Sequence, residues 1–160
     1  MDEAGIRHAG AGKTLEEAKA PAVVEVDGTK LGVLSITDNE PPFAAMRDRP
    51  GTYYVEIGTE PDLLATIERS VAALRAQDTD LVVLSPHWGP NMVQRPRDSF
   101  KDFARKAIEA GADIFHGHSA HIFQGVEKYK DKLILYDTGD FLDDYAVDPV
   151  LRNDETFLFL

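Results

Sequence analysis

The sequence predicts an α/β fold, in which parallel strands joined by a helix form the centre of a sheet. An apolar run at residues 81–85 is typical of a buried strand, and residues 98–110 carry apolar side chains at helical spacing. A second short strand-like segment follows at residues 113–116. A strand, a helix and a strand in this order predict a right-handed βαβ crossover, whose two strands run parallel.

A hairpin is predicted on each side of this crossover. Residues 22–26 and 30–36 flank an Asp-Gly dipeptide, which favours a two-residue hairpin turn. Towards the C-terminus, residues 122–129 and 133–136 are short and strand-like. Short strands that follow a βαβ unit predict an antiparallel portion at the C-terminal side of the sheet.

The remaining segments predict one further helix and a long connection. Residues 37–58 are interrupted by prolines and glycines, which predicts an irregular connection of the kind that is often functional. Thr59 is the predicted N-cap of a helix that ends near Gln77. One face of this helix is apolar, and it consists of Leu63, Leu64, Ile67, Val71 and Leu74. The last run, residues 156–160, is strand-like, and because a domain seldom ends inside such a run we expect the chain to be cut there.

The composition limits the classes of partner. A chain of 160 residues is predicted to form one domain, residues 1–160. Its 28 acidic and 17 basic residues give a net charge of -11, which argues against nucleic acid. Without cysteine, any metal must be held by nitrogen and oxygen ligands. No apolar run approaches the roughly 18 residues of a membrane span and no signal-peptide pattern is present, so the sequence predicts no membrane segment and leaves localisation and oligomeric state open.

The histidines predict a metal site. His116, His118 and His121 fall within six residues just beyond one predicted strand, and His87 follows the strand at residues 81–85. Because parallel strands expose their carboxyl ends at the same sheet edge, we expect His87 and His118 to face a common crevice, with His121 on the same loop. Neutral imidazole is a common ligand of transition metals. The competing interpretation is that these are loop or core histidines satisfied by hydrogen bonds.

Other polar residues are secondary candidates. His116, as the last residue of a predicted strand, either ligates a metal or points into the core. Asp137 and Asp140 follow another predicted strand, and either could ligate a metal or orient a histidine. Asp38 and Asn39, which follow the strand at residues 30–36, and Arg152 are candidates for substrate contact, with solvated surface loops as the alternative interpretation.

Three motifs resemble one protein family. They are Ser-Pro-His-Trp-Gly at residues 85–89, Gly-Ala-Asp-Ile-Phe-His-Gly-His-Ser-Ala-His at residues 111–121, and Tyr-Asp-Thr-Gly-Asp-Phe at residues 136–141. In order and spacing they are similar to the C-terminal half of CapA-type poly-γ-glutamate capsule synthesis proteins, which belong to the calcineurin-like metallophosphoesterase superfamily. Residues 5–21 and the first hairpin share in the resemblance, which therefore extends over nearly the whole chain.

The resemblance implies a partial metallophosphoesterase-like α/β sandwich with a metal-dependent hydrolase activity. It implies that His87, His118 and His121 are ligands of a two-metal centre of Mn, Zn or Fe, acting on a small-molecule or polymer substrate such as a phosphate ester or polyglutamate. Members of the family are often envelope-associated. The family's Gly-His-His-Pro-His and Gly-Asn-Phe read Gly-His-Ser-Ala-His and Gly-Asp-Phe here, which predicts different surroundings of the metal or a different substrate.

The superfamily's opening Asp-containing strand and its Asn-His motif have no counterpart in the sequence. We therefore expect the chain to lack the N-terminal half of such a domain and to form a half-site that binds one metal weakly or none and hydrolyses little. Two alternatives remain. One is a non-catalytic binding or scaffold domain for an acidic polymer, and the other is an amidohydrolase or PHP-type metal hydrolase built on His116 and His118, which requires a barrel.

Overall fold

A six-stranded mixed sheet organises the molecule. The computed structural model describes residues 4–58 and 62–159. The strands are β1 (Ala11–Gly12), β2 (Ala22–Val26), β3 (Thr29–Thr37), β4 (Gly51–Thr52), β5 (Leu81–His87), β6 (Ile114–His116), β7 (Val126–Tyr129) and β8 (Lys132–Leu135), and the helices are α1 (Leu15–Lys19), α2 (Leu63–Arg75) and α3 (Asp98–Glu109). The order in the large sheet is β2-β3-β5-β6-β8-β7, while β1 and β4 form a separate two-stranded sheet.

The centre of the sheet is parallel, as predicted. Strand β5 pairs in parallel with β3 on one side and with β6 on the other. Helix α2 connects β3 to β5 and α3 connects β5 to β6, so the sheet contains two successive βαβ units. Strand β8 also runs parallel to β6. The α/β fold class is confirmed, and the open order of the strands differs from the barrel that the amidohydrolase alternative requires.

Both predicted hairpins are present. In the β2–β3 hairpin, Asp27 and Gly28 have φ values of 50° and 78°, the positive angles that a two-residue turn of this kind needs. Strands β7 and β8 pair antiparallel across another two-residue turn. The predicted strand at residues 122–129 is regular only over Val126–Tyr129. Residues 122–125 are irregular, apart from an isolated antiparallel bridge between Phe123 and Thr138.

Other predictions need correction at their boundaries. Helix α2 begins at Leu63 and ends at Arg75, whereas the predicted N-cap, Thr59, lies outside the described residues. The predicted strand at residues 156–160 is not a strand over residues 156–159, and Leu160 lies outside the described residues. The connection after β3 is irregular as predicted, apart from the 3-10 turn Pro41–Phe43 and the short strand β4.

The core lies between α2, α3 and one face of the sheet. Val82, Leu84, Phe115 and Ile134 are fully buried on this face. The helices contribute Ile67, Val71, Leu74, Phe103, Ala104 and Ile108 to the same cluster. On the opposite face, side chains such as Val33, Val83 and Ile114 are only half-buried by the described residues. Among the helices in the described ranges, none combines the length and hydrophobicity needed to span a bilayer.

Asp113 ties the start of β6 to its neighbours. Its buried carboxylate accepts a hydrogen bond from the backbone N–H of Val82 at 2.7 Å and forms ion pairs with Arg75 and Lys132. Burial acts to raise the pKa of Asp113. The side chain of Lys132, the Val82 N–H and Arg75 together outweigh burial, so this pKa lies below its ordinary value.

Substitution of Asp113 tests this anchor. We expect Asp113→Asn to lower the free energy of unfolding by about 1–3 kcal/mol at neutral pH, the usual range for a hydrogen bond to a charged group. Because the folded pKa lies below the unfolded one, the stabilisation is complete above about pH 4 and is lost as the pH falls through the folded pKa. Urea unfolding of both proteins at neutral and acidic pH measures this difference.

Asp131→Asn is the matched control, because it removes the same charge from an exposed ion pair with Lys128. It should change the free energy of unfolding by less than about 0.5 kcal/mol. Equal losses in the two variants, or a difference that grows at acidic pH, would contradict the assignment.

Candidate functional site

The predicted histidines lie at the carboxyl edge of the parallel strands. Strand β5 ends at His87, and the loop after β6 brings His118 directly beside it in a parallel bridge. The backbone N–H of Trp88 donates to the His118 carbonyl at 2.9 Å, and the His118 N–H donates to the Pro86 carbonyl at 3.1 Å. The pairing of β5 with β6 therefore continues into both loops and fixes the two histidines next to each other.

His87 and His118 form a close pair. Their ring centroids are 5.3 Å apart at an interplanar angle of 65°. The Nδ1 atom of His118 is buried, and in the part of the chain that the structure describes it has no hydrogen-bond partner. A buried polar atom without a partner is costly in a folded protein. Among the described residues, the Nδ1 of His118 therefore carries a desolvation cost that no hydrogen bond offsets.

His116 lies beside this pair and is satisfied by hydroxyl groups. Its ring centroid is 5.5 Å from that of His118. Its Nδ1 is 2.9 Å from Ser85 Oγ and its Nε2 is 3.4 Å from Thr138 Oγ1. The ring is half-buried, so it is not a core residue, and metal ligation by His116 stays a prediction. It is a hydrogen-bonded neighbour of the pair.

His121 is held from two sides by the segment after β8. Its Nδ1 is 2.9 Å from Asp140 Oδ2, and the ring of Tyr145 packs edge-on against it at 4.9 Å between centroids. The contact with Asp140 leaves Nε2 as the nitrogen available to a ligand. Of the roles predicted for Asp140, the geometry corresponds to orienting a histidine. Tyr145 was missed by sequence reasoning, because nothing in the sequence links it to a residue so far away along the chain.

Asp137 holds the histidine loop through its backbone. Its buried carboxylate accepts the N–H of Ala120 at 2.8 Å and the N–H of Gly139 at 2.9 Å. Burial raises the pKa of Asp137 to about 6, although the two N–H groups act in the opposite direction. Both oxygens are engaged by the backbone. Asp137 therefore fixes the path of the loop between His118 and His121 in this structure.

The loop after β3 joins the same edge. Asp38 Oδ1 accepts the N–H of Gly89 at 2.9 Å. The side-chain amide of Asn39 donates to the Gly89 carbonyl at 3.2 Å and to Ser119 Oγ at 2.9 Å. The two predicted substrate residues therefore connect the loops that carry His87 and His118. The Arg152 guanidinium instead pairs with Asp154 and Glu155 at the surface, away from these contacts.

Burial keeps the histidine rings uncharged. It lowers the pKa of His118 to about 4, with smaller contributions from His116 and His87. Burial also lowers the pKa of His87, and the neighbouring His121 adds to the effect. The pKa of His116 is lowered by burial as well. At neutral pH these imidazoles are therefore neutral, which is the form that binds a metal.

The described side chains do not form a closed metal cage. Within residues 4–58 and 62–159, no three His, Asp or Glu side chains converge closely enough to hold an ion. The site instead offers a histidine pair, a third histidine nearby and open space on both sides. A cavity of about 390 Å³ lies beside His87, and another of about 510 Å³ lies beside His121.

Gly117 permits the loop to approach β8. Its N–H donates to the Leu135 carbonyl at 2.8 Å, and a Cβ atom at this position would lie 2.1 Å from the Tyr136 carbonyl oxygen and 2.6 Å from Trp88 Nε1. Its φ is not positive, so glycine is needed here for the small space between two backbones and not for a left-handed turn.

Gly117→Ala tests this constraint. We expect the variant to lose about 1–3 kcal/mol of unfolding free energy, the usual cost of overpacking, and to shift the NMR signals of His118 and Trp88. Gly125→Ala is the control, because a Cβ there meets nothing within 4 Å. Thermal or urea unfolding compares the two, and an equal effect of both substitutions would disprove the steric explanation.

Comparison with known proteins identifies the family. A family model described as bacterial capsule synthesis protein PGA_cap matches residues 1–145. A probable polyglutamine synthesis accessory protein of Mycobacterium tuberculosis H37Rv is 35% identical over 147 residues, which is 89% of this chain and 38% of that protein. The capsule biosynthesis protein CapA of Bacillus anthracis is 30% identical over 143 residues, covering 89% of this chain and 34% of that protein.

A solved structure of a hypothetical protein from Thermus thermophilus aligns with a TM-score of 0.46 and 15% identity, over 74% of this chain and 38% of that one. The chain thus spans little more than a third of the length of the curated relatives it matches. The resemblance to CapA-type proteins that the three motifs predicted is confirmed. This chain belongs to the bacterial capsule synthesis protein family, PGA_cap.

Proposed function

We propose that this chain contributes His87, His118 and His121 as ligands of a divalent metal centre in a metal-dependent hydrolase related to the capsule synthesis proteins. The observation that carries the proposal is the buried Nδ1 of His118, which has no hydrogen-bond partner among the described residues, with the ring of His87 at 5.3 Å. A ligand at this nitrogen would remove the cost of leaving it unsatisfied. Imidazole suits Zn and Fe, and Mn would need oxygen donors as well.

The described residues supply only part of the ligands that a metal centre needs. No three carboxylate or imidazole groups converge in the described residues, so the three histidines supply only some of the donors. The remaining donors would come from other parts of a protein of the relatives' length. A divalent ion held there would supply Lewis acidity towards a phosphate ester or an amide of polyglutamate and would make a water molecule more acidic.

The chain's own residues have distinct parts in this proposal. His118 and His87 face the crevice from adjacent strand ends, and the carboxylate of Asp140 keeps the Nε2 of His121 available by holding its Nδ1. Asp137 fixes the loop, and Asn39 fastens it to the neighbouring loop through Ser119. Asn39 also lines the cavity beside His87, and Asp38 and Asn39 are the proposed substrate contacts at this edge.

Calorimetric titration with Mn²⁺ and Zn²⁺ in chelator-stripped buffer tests the ligand set on tag-free protein. We expect weak binding of about one equivalent. His118→Ala and His121→Ala should each reduce the affinity at least about tenfold, because losing a ligand costs no less than losing a hydrogen-bonding partner of a ligand. His8→Ala is the control, because it removes an imidazole outside the cluster. Binding that survives His87→Ala and His118→Ala alike would refute the proposed ligands.

A separate variant tests the role of Asp140. Asp140→Asn should weaken metal binding by about 10- to 100-fold without removing a proposed ligand, because the ring of His121 loses its orienting carboxylate. Asp144→Asn, an exposed change in the same segment, should leave the affinity unchanged. The measurement is competition with a metal indicator, and equal affinities for the two variants would argue against an orienting role.

A second function is favoured by the absence of a converging donor set in the described residues. In that case the domain binds or scaffolds an acidic polymer without turnover. A longer protein that includes the additional donors distinguishes the two functions. If the first function is correct, this protein should bind metal at the histidines and hydrolyse a phosphate ester. If the second is correct, it should bind polyglutamate without metal.

A further inference from the structure

The cavity beside His87 has features of a second ligand site, although His87 itself is also a proposed metal ligand. Its volume of about 390 Å³ lies within the range of small-molecule pockets. We call it the Phe43 cavity, and its walls include Ala9, Ala11, Ile36, Phe43, Glu40 and His87. Most of the surface that lines it is apolar, and Phe43 is 64% exposed. The cavity therefore suits a ligand with a short hydrocarbon body.

The walls of this cavity are held in place by backbone hydrogen bonds. The Tyr53 N–H donates to the Gly10 carbonyl at 2.7 Å, and the Thr37 N–H donates to the Tyr53 carbonyl at 3.0 Å. Gly10 has a φ of 82°, and a Cβ there would lie 2.8 Å from Ser35 Cβ, so the chain is pressed closely against β3. A cavity whose walls are fixed in this way is largely formed before a ligand arrives.

The one charged side chain that lines the cavity is acidic. Glu40 is the one charged side chain among the residues lining it, neither lysine nor arginine is among them, and within the described residues the Glu40 carboxylate has no hydrogen bond or ion pair. Asp38 lies two residues before Glu40 in the chain, and both carboxylates act on His87 electrostatically. Two basic groups act nearby, because Arg97 affects Asp38 electrostatically and the Arg49 guanidinium donates to the carbonyl of Ala44, next to Phe43, at 2.8 Å. Neither arginine lines the cavity, so the charge of Glu40 favours a cation over an anion there.

The backbone conformation at Glu40 is unfavourable for a residue of this type. Its φ of 58° and ψ of 55° place it in the left-handed region, immediately before Pro41. For a side chain of this size such a conformation costs on the order of 1 kcal/mol, and Gly or Asn would adopt it more easily. The fold therefore holds a carboxylate at the rim of the cavity in a position that backbone preference alone does not favour.

From these contacts we infer that the Phe43 cavity binds a primary organic ammonium ion, with its hydrocarbon part against Ile36 and Phe43 and its charge beside Glu40. The inference goes beyond the proposed function and does not depend on a metal, since none of its contacts involves the Nδ1 of His118. It predicts that an amine-bearing group, and not a free carboxylate, occupies the space next to His87.

An NMR titration with three ligands of equal chain length tests the inference. Butylammonium, butan-1-ol and butanoate are added separately to the 160-residue chain in chelator-treated buffer at neutral pH, so that failure of the metal proposal does not affect the result. We expect butylammonium to shift the backbone amides of Gly10, Thr37 and Phe43 and to bind about two- to fivefold more tightly than the alcohol, as an exposed ion pair allows. Butanoate should bind most weakly.

Three variants complete the test. Glu40→Gln should make butylammonium and butan-1-ol bind equally, whereas Glu68→Gln, an exposed acid on α2, should leave the preference intact. Ala9→Leu should fill the cavity and weaken all three ligands, with a dispersed spectrum showing that the fold persists. Tighter binding of butanoate, no shifts at the three amides, or an unchanged preference in Glu40→Gln would overturn the inference.

Discussion

The parallel pairing of β5 with both β3 and β6 is the constraint on which the rest of the structure depends. It brings three strand ends to one edge, and the ladder continues past the strands as the bridge between His87 and His118. Because the two helices that connect these strands pack on one face, the fully buried side chains of β5 and β6 form the centre of the core. The position of the histidines is thus a consequence of sheet register.

The loops at this edge are fastened to one another and not only to the strands. Asn39 reaches Ser119, Asp38 reaches Gly89, and Asp137 reaches Ala120, so loops from four places in the chain share hydrogen bonds. Most of these bonds end on backbone groups, which fixes the path of each loop while leaving the imidazoles less constrained. Such an arrangement holds donors near one another before any ligand is present, and it lowers the entropic cost of binding a ligand.

Burial of the imidazoles and the charge of nearby carboxylates act together at this edge. The rings of His87, His116 and His118 are kept neutral by removal from water. Asp38 and Glu40 act on His87 electrostatically, and Asp140 contacts His121. Neutral nitrogen donors within a negative field attract cations of any kind. The proposed metal centre and the proposed ammonium site share this electrostatic origin and differ in the atoms that make contact.

The sequence by itself determined the α/β class, the βαβ unit, both hairpins, the family and the strand ends on which His87 and His118 stand. These depend on local periodicity, turn dipeptides and the rule that parallel strands align their carboxyl ends, all of which are encoded by neighbouring residues. Only the tertiary structure decided that hydroxyl groups satisfy His116, that Asp140 and Tyr145 hold His121, and that Gly117 is required for space. These roles arise where segments distant in the chain meet, and no local pattern specifies the distance between two such side chains.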